Sequence, residues 1–203
     1  MNWNFLFESS IYFLALINPA SKVLLLFSID HPVSQKMIWD VSIKATLTAF
    51  GILAFLSTCG HFILSDLFHI EVYALKISGG IILFLFGLKA VQQGKFYEND
   101  PHNPQPMSAM SIVPLGAPLI AGPGTITASI AYASEQGIFV TLIALLIALS
   151  ANLVLMLFSR RIGNLLEKLH ATGPLIRITG LIVSAVAIQM VCMGIDEWLR
   201  SFK

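Results

Sequence analysis

The chain is 203 residues long, with 56% hydrophobic and only 11% charged residues and a formal net charge of +1. With a mean hydropathy of +0.81 and several apolar runs of spanning length, it reads as an integral membrane protein of the all-α class. Its 12 basic residues are scattered over short segments, which excludes a nucleic-acid surface.

In chain order, six runs are long enough to cross the hydrocarbon layer: roughly 5 to 29, 43 to 64, 72 to 91, 110 to 133, 138 to 158 and 176 to 198. The start, Met1-Asn2-Trp3-Asn4, lacks a basic leader pattern, so the first run is expected to be a retained helix. A polar, proline-rich stretch over 93 to 108 separates three runs from three. The expected organisation is a single membrane domain over 1 to 203, with one repeat over 1 to 92 and a second over 109 to 203.

Basic residues fall beside the first, third and fifth loops: Lys36 and Lys44, then Lys89 and Lys95, then Arg160, Arg161, Lys168 and Arg177. The second and fourth loops carry none. Those three loops are therefore expected in the cytoplasm, with both termini outside. Lys76-Ile77-Ser78-Gly79-Gly80-Ile81 opens the third run and Arg177-Ile178-Thr179-Gly180-Leu181-Ile182 the sixth, in the same order of base, isoleucine, hydroxyl and glycine. Because each half has an odd number of spans, the two copies would cross the membrane in opposite directions, as inverted repeats.

The first and fourth runs are interrupted, at Asn18-Pro19 and at Gly122-Pro123-Gly124. Proline removes a helical hydrogen bond but suits the first turn of a new helix, so a half-helix is expected to restart at Pro19 and at Pro123. The free amides that follow would hold an anionic group such as a carboxylate. The expected substrate-binding residues are Asn18, Pro19, Ala20, Ser21 and Lys22 at the first break, and Gly122, Pro123, Gly124, Thr125 and Thr127 at the second.

Lys22 is costly at membrane depth. It reads either as a fixed cation of the site or a proton carrier, or as a side chain snorkelling to the interface towards Asp30. All acidic residues fall near run ends or in loops, so no carboxylate is expected at mid-membrane. Coupling is left open between sodium, a proton carried by Lys22, and none. Lys76 and Arg177 read as helix-end anchors, and Asn152 and Gln189 as cross-helix hydrogen bonders or cavity lining. His61, Asp66, His69 and Glu71 match no zinc spacing and read as a polar turn. Cys59 and Cys192 read as packed thiols rather than a disulfide or metal pair. No nucleophile elbow, phosphate loop or Ser/His/Asp order points to an enzyme, and no cofactor or metal is expected.

Several segments are similar to the MarC-type family of bacterial inner-membrane proteins. They are Ile17-Asn18-Pro19, the run from Lys76 to Phe84, Val113-Pro114-Leu115, the run Pro118-Leu119-Ile120-Ala121-Gly122-Pro123-Gly124-Thr125-Ile126-Thr127, and Arg177-Ile178-Thr179-Gly180 continuing to Gln189. The resemblance implies a six-span transporter of small neutral amino acids in the bacterial inner membrane. Its partners would be the solute, lipid and, in an oligomer, further copies of itself. The chain departs from the family pattern at Lys76, where arginine is expected, at Met193, where an acidic residue is expected, and at Ser21-Lys22. An inorganic-ion permease and a non-transporting membrane partner are the alternative readings.

Overall fold

The computed structural model describes residues 3–27, 34–67, 69–94 and 120–202. Asp30, most of the 93 to 108 linker and the first half of the expected fourth run lie outside them.

Among the described residues the fold is entirely helical. The first run forms α1 (Trp3–Ile17) and α2 (Pro19–Phe27), divided at Asn18. The second forms α3 (Gln35–His61), which runs into a π-helical turn over Phe62–Leu67; α4 spans Val72–Gln93. After the break at Gly122 come α5 (Pro123–Gln136), α6 (Ile138–Leu157), α7 (Ser159–Lys168) and α8 (Thr172–Arg200). Among the described residues, five stretches are long and apolar enough to cross a membrane: Asn4–Phe27, Gln35–Gly60, Val72–Gln93, Ile138–Leu157 and Thr172–Arg200. The expected fourth span is represented by the 14 residues of α5.

Two boundaries differ from the sequence reading for a physical reason. Helix α3 begins at Gln35 rather than 43, because Ser34 caps it by accepting the Met37 amide at 3.2 Å. Its first turns carry Lys36, Asp40 and Lys44, which depress hydropathy without opposing helix. The basic segment expected as a loop between the fifth and sixth runs is α7. That helix is too short and polar to register as a span, yet Ile162, Leu165, Leu166 and Leu169 recur at helical spacing.

Helices α4 and α8 run antiparallel in contact along their length. The glycines explain the closeness: a Cβ added at Gly80 would lie 2.9 Å from the Ala187 carbonyl oxygen, and one at Gly87 2.8 Å from that of Gly180. At the far end, one added at Gly194 would lie 2.8 Å from the Tyr73 carbonyl oxygen. Since lipid tails are as apolar as leucine, helices in a bilayer associate through such close packing rather than through hydrophobic exclusion. The main core draws most of its side chains from α1, α3, α5 and α6, where Phe13, Ile17, Leu53, Leu145 and Leu149 are fully enclosed, and Leu83 of α4 and Val183 of α8 join it.

Contacts between helix ends gather the basic segments at one end of the molecule. The Gln35 amide at the start of α3 donates to the Leu157 carbonyl at the end of α6, at 3.1 Å. Gly163 of α7 lies against the ring of Phe27 at the end of α2, and Gly94, just past α4, lies beside Arg177. Cys59 is partly buried on α3, and both it and Cys192 are free thiols. Cys192 is exposed, which corrects the packed reading for that residue. Asn152 is fully buried, with its amide nitrogen 3.2 Å from Met156 Sδ and its Oδ1 without a partner, whereas Gln189 faces outward.

Candidate functional site

At the first break the backbone is set by Pro19, which disfavours α-helical geometry in the residue before it. Asn18 escapes into the left-handed region, at φ 52°, a conformation asparagine tolerates better than most residues. Its amide still closes the α1 ladder on Leu14 O at 3.0 Å, while its carbonyl accepts from the Ser21 amide at 3.1 Å and from Ser21 Oγ at 2.8 Å. The Ser21 amide is the group that an unbroken helix would direct to Ile17 O. In its place the Lys22 ammonium donates to Ile17 O and, at 3.1 Å, to Ser21 Oγ.

Lys22 is 2% exposed, so the snorkelling reading does not hold. Its side chain turns back onto the carbonyl end of α1, where a helix presents partial negative charge. The first break therefore buries a lysine amine inside the protein, held by the Ile17 carbonyl and the Ser21 hydroxyl.

At the second break Gly122 precedes α5 in an extended conformation and gives no side-chain cap, and Pro123 takes the first helical position. The first intrahelical bond runs from the Ile126 amide to Gly122 O, at 2.8 Å. The amides of Gly124 and Thr125 come before it and form the positive end of the helix. A half-helix thus restarts at each proline, as the sequence predicts.

Both breaks open onto one cavity of about 480 Å³, whose wall includes Asn18, Lys22, Gly122, Pro123, Gly124 and Thr125. That volume is in the range of small-molecule sites. Leu16, Leu83, Phe86 and Val183 supply apolar wall, and Lys89 of α4 adds a second cation. Asn18 Nδ2 is buried without a hydrogen-bond partner. The donors here include the Lys22 amine, Asn18 Nδ2 and the amide end of α5. Among the described lining residues there is no carboxylate. Such a surface holds an anionic or carbonyl oxygen against an apolar body.

Four of the ten expected residues do not line this cavity. Pro19 and Ala20 are half-buried in α2, and Ser21 is consumed by its bonds to Asn18 and Lys22. Thr127 packs into the seam with α4, where its Oγ1 fills the space a Cβ on Gly79 would need.

The sequence reading missed a second buried cation. Lys76, taken as a helix-end anchor, is 6% exposed and donates to both Glu135 at the end of α5 and Glu197 on α8. All three lie near helix ends that the loop charges assign to one side of the membrane, and that is the signal that could have found them.

Comparison with known proteins places the sequence in a family. Residues 3–199 match the profile described as MarC family integral membrane protein. The chain is 34% identical over 187 residues to a UPF0056 membrane protein of Pyrococcus horikoshii, covering 92% of this chain and 91% of that protein. It is 32% identical over 196 residues to one of Methanocaldococcus jannaschii, covering 92% and 93% respectively. It is 27% identical over 203 residues to YvbG of Bacillus subtilis, covering 96% of each. No solved structure matches. The relatives are archaeal as well as bacterial, a wider setting than the resemblance alone implied. With nearly its full length matched, the chain belongs to the MarC family of integral membrane proteins.

Proposed function

We propose that this protein is a secondary transporter that carries small carboxylate-bearing solutes across the membrane by alternating access. Small neutral amino acids are the substrate class that the family resemblance implies. The observation that carries the proposal is the meeting of the two breaks, roughly a hundred residues apart in the chain, at one cavity. Irregular backbone at membrane depth is tolerated only where it is buried or lines such a space. Discontinuous helices whose amide ends face a midplane site are the recurring architecture of secondary transporters.

In this reading Asn18 Nδ2 and the Gly124 and Thr125 amides hold the carboxylate, Lys22 supplies the fixed positive charge, and Leu83 and Phe86 bound the apolar remainder. The two halves act as inverted three-helix repeats that rock about the site. The antiparallel α4 and α8 pair, with Lys76-Ile77-Ser78-Gly79 and Arg177-Ile178-Thr179-Gly180 near opposite ends, supports that arrangement. Lys36, Arg160, Arg161 and Arg177 lie on helix ends that meet at one end of the molecule. This supports a cytoplasmic assignment for that end, with both termini outside, in the plasma membrane.

Uptake of labelled alanine, glycine or serine into proteoliposomes, with and without sodium and proton gradients, tests the proposal. Counterflow or uptake above protein-free vesicles is the expected result, and none under any gradient would count against it. The donor-rich wall favours an anionic group over an inorganic cation. A thermal-shift series comparing amino acids and simple carboxylates with metal salts separates these readings, since only a ligand of the folded state raises the melting temperature.

A further inference from the structure

A second cavity, of about 260 Å³, lies further along α5 from the first, and Lys76, Glu135 and Glu197 stand in its wall. Thr125 faces the central cavity, while Ala128 and Ala131 face the second one. The intervening rise is only about 5 to 9 Å at helical pitch. Two contacts divide them: Thr127 in the Gly79 notch, and Leu83 over Gly124, where a Cβ would lie 2.8 Å from Leu83 Cδ2. Beyond that division Tyr12 of α1 stacks on Tyr132 of α5, with ring centroids 5.4 Å apart and planes 22° apart.

The two ion pairs of Lys76 are not equivalent. Lys76 to Glu197 lies within the α4 and α8 pair, which pack closely along their length through Gly80, Gly87 and Gly194. Lys76 to Glu135 crosses from that pair to α5, a half-helix that begins at an uncapped break. Breaking the second contact alone leaves the buried ammonium still paired with Glu197, so no charge is orphaned.

We infer that Lys76 and Glu135 form a gate, with Glu197 as the fixed counter-charge: separation of Glu135 from Lys76 lets the end of α5 swing from the α4 and α8 pair and opens the second cavity, which lies on the way to the first, on that side. Glu135 is the switching residue, and Glu197 keeps Lys76 charged and in place in both states. The Tyr12 and Tyr132 stack parts with the same movement. This inference rests on the transport reading, but its test does not use transport.

The experiment uses the full chain in nanodiscs, with Cys59→Ser and Cys192→Ser removing native thiols and Ala131→Cys placing one in the second cavity. The rate of modification by a membrane-impermeant maleimide is measured. Glu135→Gln should react about tenfold or more faster than its parent, the scale of losing one charge-assisted hydrogen bond. Glu197→Gln should stay within about threefold, because its contact does not cross to α5. Lys76→Met should react at least as fast as Glu135→Gln, and Lys76→Arg should keep the slow rate. An unchanged rate in both Glu135→Gln and Lys76→Met overturns the gate, as does equal acceleration in Glu135→Gln and Glu197→Gln. Uptake in the same preparations separates the two readings. Uptake by the parent with unchanged thiol rates sinks the gate alone; accelerated thiol rates without uptake by any variant support the gate and count against the transport reading.

Discussion

Two buried lysines among the described residues are held by opposite means. Lys22 rests on the Ile17 carbonyl and the Ser21 hydroxyl, and the described residues place no carboxylate against it. Lys76 holds two carboxylates from two other helices. An amine held only by a carbonyl and a hydroxyl can still receive an anion, whereas one shared by two carboxylates is already compensated and works as a tie. The same side chain therefore reads as a binding group beside the breaks and as a clasp at the helix ends. Local backbone chemistry decides the first role, and the assembly of α4, α5 and α8 decides the second.

The largest effect should come from stripping Lys76 of both partners. Glu135→Gln combined with Glu197→Gln leaves a buried ammonium uncompensated, and the expected loss is about 3 to 5 kcal/mol of stability. Lys76→Met should cost less, because the side chains of Glu135 and Glu197 are 43% and 38% exposed and can take up water. Denaturant unfolding of the purified variants measures the difference. Equal losses would mean that burial of the cation is not what distinguishes this site.

Lys22→Met comes next in stability and first in binding. Ile17 O would lose its ammonium donor, at about 1 to 3 kcal/mol for an orphaned buried acceptor, and removal of a desolvated charge offsets part of that. Solute-induced stabilisation and uptake should both disappear. Retention of either at the parent level would reduce Lys22 to a prop for the broken helix. Asn18→Gly separates the two functions of its position: glycine accepts the left-handed backbone but lacks the Nδ2 donor. Stability should stay within about 1 kcal/mol of the parent, while solute affinity falls about tenfold for the lost hydrogen bond. Thermal shift with and without solute reads both quantities from one preparation.

How far these sites were legible in the sequence follows from the range of their causes. Pro19 and Pro123 act on their own backbone, so the breaks and the restarted half-helices could be read directly. That the two breaks share a cavity was suggested only by their matched places in the two halves. The sequence reading placed Thr125 and Thr127 together in the site, but residues two apart on a helix point to nearly opposite sides. Thr127 accordingly faces Gly79 rather than the cavity. Lys22 drew notice through its nearness to Pro19, although its use of Ile17 O depends on how Asn18 turns. Lys76 finds its partners 59 and 121 residues away, and no local pattern records that distance. Helix α7 escaped because hydropathy measures the length of apolar runs, not the amphipathic spacing of Ile162 and Leu166.

The smallest effect belongs to a third lysine, which sets the baseline for the other two. Lys44 pairs with Asp40 one turn earlier on α3, at 2.7 Å, and both side chains are more than half exposed. Water and salt screen such a pair, so Asp40→Asn should change stability by no more than about 0.5 kcal/mol, and less at high ionic strength. The Glu135 and Glu197 replacements should keep most of their effect in the same salt series, because Lys76 is buried. If the Asp40 and Glu135 variants responded to salt alike, the cavity beside Lys76 would have to be open to bulk solvent. The separation of a binding lysine from a clasping one would then rest on Lys22 alone.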